Sequence, residues 1–450
     1  MATDAPNKHV YIQTFGCQMN VYDSEKMLSQ LQASSFSPID DPLRADLILV
    51  NTCAIRENAE NKVFSLLGSF AEIKSNRPDL VIGVGGCVAQ QQGQEILKRA
   101  PVVDMVFGTD NLFELPEMLA EVAQGKRPVR TEFRHQKQKI VNFVPDLAPD
   151  AASSTLVKGS IAITKGCNNF CTFCVVPYTR GREVSREPDN IIQEAERLVG
   201  SGVKEITLLG QNVNSYKAMG VDFVALLERM NDLEGLDRIR YTSPHPKDLN
   251  EKLARAHRDL PKLCEHIHLP YQAGSDSILK AMRRNHKISE YLEKVAMIRE
   301  YVPNIAISTD IIVGFPGETP MDFEATLEVL EKVRFDQVYA FKYSPRADTP
   351  AATLENQVPE VVRAERLAVL FEKYEAILAE SNRSLIGSKQ EVLLEGPHPK
   401  VAGAMNGRSR GNKSVMVLDC NAEPGTLLDV EIAAARKFSL VAGGERLENQ

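Results

Sequence analysis

Short apolar runs rich in β-branched residues alternate with stretches of helical periodicity along the first 125 positions. Runs at 10–12, 47–50, 80–84 and 102–106 read as strands, and 23–31, 60–73 and 94–99 read as helices. Such alternation predicts a parallel sheet with helices on its faces, here over 8–125. A basic stretch followed by the polar, proline-containing segment 146–154 reads as a linker, 126–154. From Gly159 the alternation resumes, with strands near 161–164, 206–209, 239–242, 266–269, 305–313 and 338–341. Six βα units are too few for a closed eight-strand barrel and predict a partial barrel over 155–384, ending in a long helix near 359–384. From Gln390 the grain changes to short strands broken by Gly and Asn turns, near 391–394, 414–418 and 428–432. That pattern predicts a small all-β barrel over 385–447, of the oligonucleotide-binding kind. The expected class is therefore α/β, with an open parallel sheet, a partial barrel and a small β-barrel in chain order.

Composition narrows the class without changing it. A chain of 450 residues with 43% hydrophobic and 25% charged residues suits two or three globular domains. No apolar run nears the ~20 residues needed to span a bilayer, and the first residues lack the basic start and apolar stretch of a signal peptide. A cytoplasmic protein without membrane contact is expected. The net charge of −7 gives no overall nucleic-acid signature. Two local runs stand against it. Lys126, Arg127, Arg130, Arg134, Lys137 and Lys139 face the single acid Glu132, and Lys400, Arg408, Arg410 and Lys413 face none. Each run reads either as a solvated face or as a phosphate contact.

The cysteines carry the chemistry. Gly166-Cys167-Asn168-Asn169-Phe170-Cys171-Thr172-Phe173-Cys174 holds a C-x3-C-x2-C triplet. Three thiolates at this spacing hold three corners of a [4Fe–4S] cube and leave one iron open. A structural zinc site closes with four ligands, and no further Cys or His lies within a few residues; His245, His266 and His268 are distant in sequence. Cys17, Cys53 and Cys87 each directly follow one of the first three predicted strands. Open α/β sheets bind ligands at the carboxyl ends of their strands, so the three should gather at one edge. Singly, each is a small buried residue; together they predict a second cluster, with Gly16, Gly85 and Gly86 letting backbone approach a bulky ligand. Clustered thiols of this kind belong to a reducing compartment. Cys264 and Cys420 have no partners at ligand spacing.

With Tyr178-Thr179-Arg180-Gly181-Arg182-Glu183-Val184-Ser185-Arg186 following it, the triplet resembles that of the radical S-adenosylmethionine (SAM) enzymes, and more narrowly of the methylthiotransferases. Further matches are Thr14-Phe15-Gly16-Cys17-Gln18-Met19-Asn20, Leu209-Gly210-Gln211-Asn212-Val213-Asn214 and Asp310-Ile311-Ile312-Val313-Gly314-Phe315-Pro316-Gly317-Glu318-Thr319. The resemblance covers nearly the whole chain: an amino-terminal domain with three strand-end cysteines, a radical SAM barrel and a carboxy-terminal TRAM β-barrel. Cys174-Val175-Val176-Pro177-Tyr178-Thr179-Arg180-Gly181 looks most like the tRNA branch, whose members place a methylthio group at C2 of N6-isopentenyladenosine, position 37. Ala273 stands where the family usually has serine, and Asn412 and Lys413 lie in a variable turn.

The resemblance implies two [4Fe–4S] clusters and two uses of SAM. The group on Cys167, Cys171 and Cys174 would bind SAM and generate a 5′-deoxyadenosyl radical; that on Cys17, Cys53 and Cys87 would hold the sulfur that is methylated and transferred. An unactivated C2–H bond needs radical chemistry, which a cofactor must supply. Phe173, Glu183, Gly210, Gln211, Ser243, Gln272 and Gly314 are the expected SAM or substrate contacts, with a core-filling role open for Phe173 and a loop-holding role for Glu183 and Arg186. Arg180, Arg408, Arg410 and Lys413 are the expected RNA contacts. Implied partners are a tRNA carrying N6-isopentenyladenosine, an electron donor such as flavodoxin or ferredoxin, and iron–sulfur assembly or sulfur-supply proteins. Alternatives are methylthiolation of threonyl-carbamoyl adenosine or of a ribosomal-protein aspartate and, outside this chemistry, a two-cluster electron carrier or an RNA-binding module.

Overall fold

A computed structural model describes residues 8–54, 59–134 and 157–443. The amino-terminal domain is a six-stranded, wholly parallel sheet in the spatial order Phe36–Pro38, Lys8–Thr14, Leu47–Thr52, Val81–Gly86, Met105–Phe107, Val129–Arg130. Every residue of Leu47–Thr52 is buried, as expected of a central parallel strand covered on both faces. Its period of two sends Ile48 and Val50 into one core with Leu67 and Phe70, and Leu47 and Leu49 into the other with Met27 and Leu31.

Two edge strands, Phe36–Pro38 and Val129–Arg130, carry too few apolar residues to be visible in the sequence pattern. Val102 and Val103 belong instead to the turn before Met105–Phe107. The sheet thus reaches into the stretch expected to be linker. Three of its cations are engaged: Arg127 donates to the carbonyls of Pro101 and Val103, and Arg130 and Arg134 pair with Glu114. The rest of the expected linker, with Lys137 and Lys139, lies outside the described residues.

The central domain is the expected partial barrel. Its six parallel strands form two three-stranded sheets. Lys158–Ala162, Glu205–Leu209 and Arg238–Tyr241 make one, and His266–His268, Ala306–Val313 and Gln337–Lys342 the other, with an Ile239–Leu263 bridge between them. A continuous apolar core joins the strands to the surrounding helices, including Glu360–Arg383. Five strands in the order Lys389–Pro397, Met405–Ser409, Ser414–Val417, Ser439–Ala442, Leu427–Ala435 close the carboxy-terminal β-barrel around Val392, Val415 and Leu440.

The two flanking domains dock on opposite ends of the central barrel. Met19 and Tyr22 of the amino-terminal domain pack against Ala162 and Leu209, the last residues of their strands. The Tyr22 hydroxyl and the Lys26 ammonium both meet Glu194, which Arg186 also pairs with from inside the barrel domain. The β-barrel meets the strands' amino ends. Lys158 pairs with Glu395 at 2.7 Å, and fully buried Arg238 donates to Glu391 and to the Arg408 carbonyl at 2.7 Å.

This placement gives each cation expected to grip RNA a partner within the protein. Arg410 is bound to Glu265 and to the carbonyls of Pro261 and Leu263, Lys413 to Asp336 and Asn382, and Arg408 to Glu395 and the Asn412 carbonyl. All three cations serve docking or the hairpin's own turn, at the end of the barrel away from the cysteine loops. Among the described residues no helix is long and apolar enough to cross a membrane.

Candidate active site

Cys17 precedes helix Gln18–Ala33, Cys53 follows strand Leu47–Thr52, and Cys87 opens helix Cys87–Gln92 directly after strand Val81–Gly86. The three strands concerned are immediate neighbours, so the cysteines gather as their strand-end positions require. Glycine makes the gathering possible, though by admitting protein rather than ligand. At Gly16, with φ +119°, a Cβ would lie 2.6 Å from Cys53 Cβ and 2.8 Å from its Sγ. At Gly86, with φ +93°, it would lie 2.4 Å from Asn51 Oδ1.

Sequence reasoning missed the buried polar net that ties these loops together. Asn20 Nδ2 donates to the carbonyls of Phe15 and Thr52 at 3.0 and 2.8 Å, and Asn51 Nδ2 donates to the Asn20 carbonyl at 2.8 Å. Thr52 Oγ1 accepts from Val88 N and Ala89 N, the otherwise open first turn of the Cys87 helix. The only signal for this net was the polar residues beside each cysteine.

The second trio sits on the loop after strand Lys158–Ala162. Gly166, at φ +78°, turns the chain where a Cβ would meet the Arg182 carbonyl at 2.1 Å, and Gln211 Oε1 accepts from Gly166 N at 2.6 Å. Asn169 donates to Cys167 Sγ from backbone and side chain at 3.5 Å, and Arg284 Nη1 donates to Cys171 Sγ at 3.7 Å. Val175, next to Cys174, packs with Ala54 and Cys87, so the loops of the two trios meet at this side chain.

The donor chemistry fits iron–sulfur groups. Cys17 and Cys53 both act electrostatically on Cys87, and Cys171 and Cys167 on Cys174, so each trio shares one locality. Among the described residues no three donors converge on a single ion; sulfurs on the corners of a cube stand wider apart than sulfurs around one zinc. Burial pushes the Cys174 thiol up to about 12, with its two partners adding, and burial raises Cys87 and Cys167 as well. The protein alone therefore keeps these thiols protonated, and loading a cluster must release the protons.

A cavity of about 210 Å³ lies between the two domains. Cys17 and Cys87 enter it from one side, and Arg180, Gly210, Gln211 and Ser243 from the other. The cavity thus unites the strand-end cysteines with carboxyl-edge residues of the barrel.

Residues 9–108 match the model described as Uncharacterized protein family UPF0004, and residues 161–330 match the Radical SAM superfamily. A tRNA-2-methylthio-N(6)-dimethylallyladenosine synthase from Bdellovibrio bacteriovorus is 46% identical over 441 residues, covering 97% of this chain and 95% of that protein. One of the same description from Acidithiobacillus ferrooxidans is 45% identical over 439 residues, covering 96% of each. The chain belongs to the radical SAM methylthiotransferase family.

Among solved structures, the radical SAM methyltransferase TsrM from Kitasatospora setae resembles this methylthiotransferase in fold. The TM-score is 0.58 at 15% identity, with 77% of each chain covered. The remaining expected site residues divide in two. Gly210 stands where a Cβ would be 2.1 Å from Thr164 Oγ1, and Ser243 (φ +57°) turns at the cavity wall. Phe173 is half-buried against the core of Ile278, Met282 and Phe315. Glu183 accepts from Ser215 Oγ at 2.6 Å, and burial raises its carboxyl. Gln272 is buried, with φ +66°, between the backbones of Asp310 and Ile312. Gly314 donates its N–H to Glu318. None of these last four lines the cavity.

Arg186, named beside Glu183 as a SAM contact or a loop-holding residue, pairs with Glu194 and Asn190. Arg180 is 3% exposed and held by Asp23 and Asn20 beside the first trio.

Proposed function

We propose that this chain replaces C2–H of N6-isopentenyladenosine in tRNA with a methylthio group, using SAM both as methyl donor and as radical source. Full-length similarity to enzymes of that description supports the substrate. The observation that carries the reading is a cavity into which both domains bring site residues. Cys17, Cys53 and Cys87 hold the auxiliary [4Fe–4S] group, and Cys167, Cys171 and Cys174 hold the radical SAM group. When bound, these groups supply the sulfur to be transferred and the reductive cleavage of SAM to a carbon radical.

The chain's own residues prepare the site. Gln211 fixes the Gly166 turn that starts the radical loop. Asn169 and Arg284 donate to Cys167 and Cys171 and so set thiolate orientation and raise the reduction potential. Gly210 and Ser243 bring backbone to the cavity wall for SAM or the substrate base, and Phe173, Glu183, Gln272 and Gly314 shape the surrounding carboxyl edge. With Arg180, Arg408, Arg410 and Lys413 otherwise engaged, tRNA binding draws on other surfaces. The reaction also takes an electron donor such as flavodoxin or ferredoxin and a sulfur-supply or iron–sulfur assembly partner, and it belongs to the cytoplasm.

Mass spectrometry of tRNA nucleosides from cells with and without the chain tests the reading. Methylthio-isopentenyladenosine is lost on deletion and restored by the parent chain, but not by Cys174→Ala or Cys87→Ala. Purified and reduced, Cys87→Ala still cleaves SAM and Cys174→Ala does not. An unchanged nucleoside profile on deletion refutes the substrate, and absence of SAM cleavage by the reconstituted parent refutes the enzyme.

A further inference from the structure

We propose that Arg180 is the anion-holding residue of the interdomain cavity: its free guanidinium nitrogen takes the sulfur anion, hydrosulfide or methanethiolate, presented at Cys17, Cys53 and Cys87. The proposal rests on the assignment of an auxiliary cluster to those three cysteines and adds a residue from the other domain to their site.

Arg180 follows the short helix Val176–Thr179, just beyond the radical loop, and reaches across the domain boundary. Its Nη2 donates to Asn20 Oδ1 at 3.0 Å and Asp23 Oδ2 at 2.7 Å. Its Nη1 is buried and, among the described residues, has no hydrogen-bond partner. An unmet donor on a buried charged group is costly and points to a ligand that completes it. The residue lines the cavity together with Cys17 and Cys87.

Charge makes the same demand. Asp23 cancels Arg180, so the pair alone is neutral. Three thiolates around a cube of charge about +2 leave a net negative charge, and a sulfur anion on the open iron adds another. The neighbouring buried cation, Lys165, is already bound to Asp110 and to the Thr109 carbonyl. Arg180 is paired as well, with Asp23, but keeps the unmet Nη1 and acts electrostatically on Cys87 and on Cys17. A guanidinium is suited to this post, because its charge is fixed and one nitrogen is anchored while the other keeps an unused donor. A purely structural lock between the domains would need only the Asn20 and Asp23 contacts and would leave Nη1 unexplained.

The test uses the full chain with Cys167→Ala, Cys171→Ala and Cys174→Ala, so that only the amino-terminal trio can carry a cluster. Iron content first checks the underlying assignment: about four irons per chain are expected, and none would overturn the assignment itself. Methanethiolate is then titrated against the reduced cluster, with its electron paramagnetic resonance spectrum as readout. Arg180→Gln combined with Asp23→Asn removes the cation without stranding a buried carboxylate, and affinity should fall at least about tenfold, the worth of one charge-assisted hydrogen bond. Arg180→Lys keeps the charge and its pairing with Asp23 but lacks the second nitrogen, and should lose affinity to a similar degree. Asp23→Asn alone leaves the guanidinium in place and retains binding. Affinity within threefold of the parent in either Arg180 variant, at full iron content, overturns the proposal.

Discussion

Replacing Arg410 with alanine separates two jobs that a basic residue on a β-barrel can have. The side chain donates to both oxygens of Glu265 at 2.6 and 2.9 Å, and to the carbonyls of Pro261 and Leu263 at 2.9 and 3.0 Å. It is 22% exposed and Glu265 is 35% exposed, so water partly re-covers the groups left behind. The loss therefore falls between a surface pair, at most ~1 kcal/mol, and a buried one, ~3–5 kcal/mol. About 2–3 kcal/mol is expected, which raises the undocked population of the β-barrel about 30- to 150-fold. Hydrogen exchange followed by mass spectrometry reads this directly in peptides covering 261–268 and 405–417, and exchange there should accelerate while the amino-terminal sheet stays protected. A phosphate contact would behave otherwise: the salt dependence of tRNA binding would flatten by nearly one unit per cation removed. A flattened salt slope with unchanged exchange would refute the docking role and return Arg410 to the RNA surface.

Two further outcomes follow from the geometry. Gly16→Ala forces a Cβ into Cys53 at a backbone angle unfavourable for alanine; iron in the reconstituted chain should fall from about eight to about four, with SAM cleavage retained, and full iron loading would contradict the packing described. The buried His257 donates from Nδ1 to the Cys264 carbonyl and accepts from the Tyr241 hydroxyl, and burial pushes its pKa down to about 4. The unfolded chain then binds the extra proton first, so stability should fall as pH drops from about 6.5 to about 4, by at most ~1.4 kcal/mol per pH unit from this residue. Buried His245 and His286 and half-buried His266 act in the same sense. The decisive measurement is the parent minus His257→Gln difference in unfolding midpoint across that range, and a difference independent of pH would count against the neutral buried ring.

The cysteine trios were legible because both depend on local rules. One is a spacing within eight residues, and the other is a strand end that recurs in a parallel sheet, where topology converts the repeat into proximity. The barrel strands were legible from their short apolar runs, although Gln337–Lys342 leaves Tyr339 and Phe341 exposed on one face. Edge strands such as Phe36–Pro38 escaped, since half-exposed pairs need no apolar run. The cations were the least legible. Arg410 finds Glu265 across 145 residues, Arg238 finds the Arg408 carbonyl across 170, and Arg180 finds Asp23 across 157. A basic run in sequence shows charge but not its partner, so solvated face and phosphate contact were the readings available, and interdomain docking was not. The left-handed turns at Ser243 and Gln272 carry no compositional mark either, because neither is glycine or asparagine.

The contact between the amino-terminal sheet and the barrel also bears on how such chains can be recombined. Asp23 and Arg180 form one ion pair across the seam, and Tyr22 and Lys26 meet Glu194 across it again. The two cysteine trios lie on separate sides of that seam, so a chimera that joins the first 134 residues of one such chain to the barrel of another divides neither trio. It would still strand a buried charge wherever the two parents differ at Asp23, Lys26, Arg180 or Glu194. The unit of exchange is therefore the pair of domains with their shared seam, while the β-barrel at the far end forms a separate joint with its own matched set in Arg238, Glu391, Glu265 and Arg410.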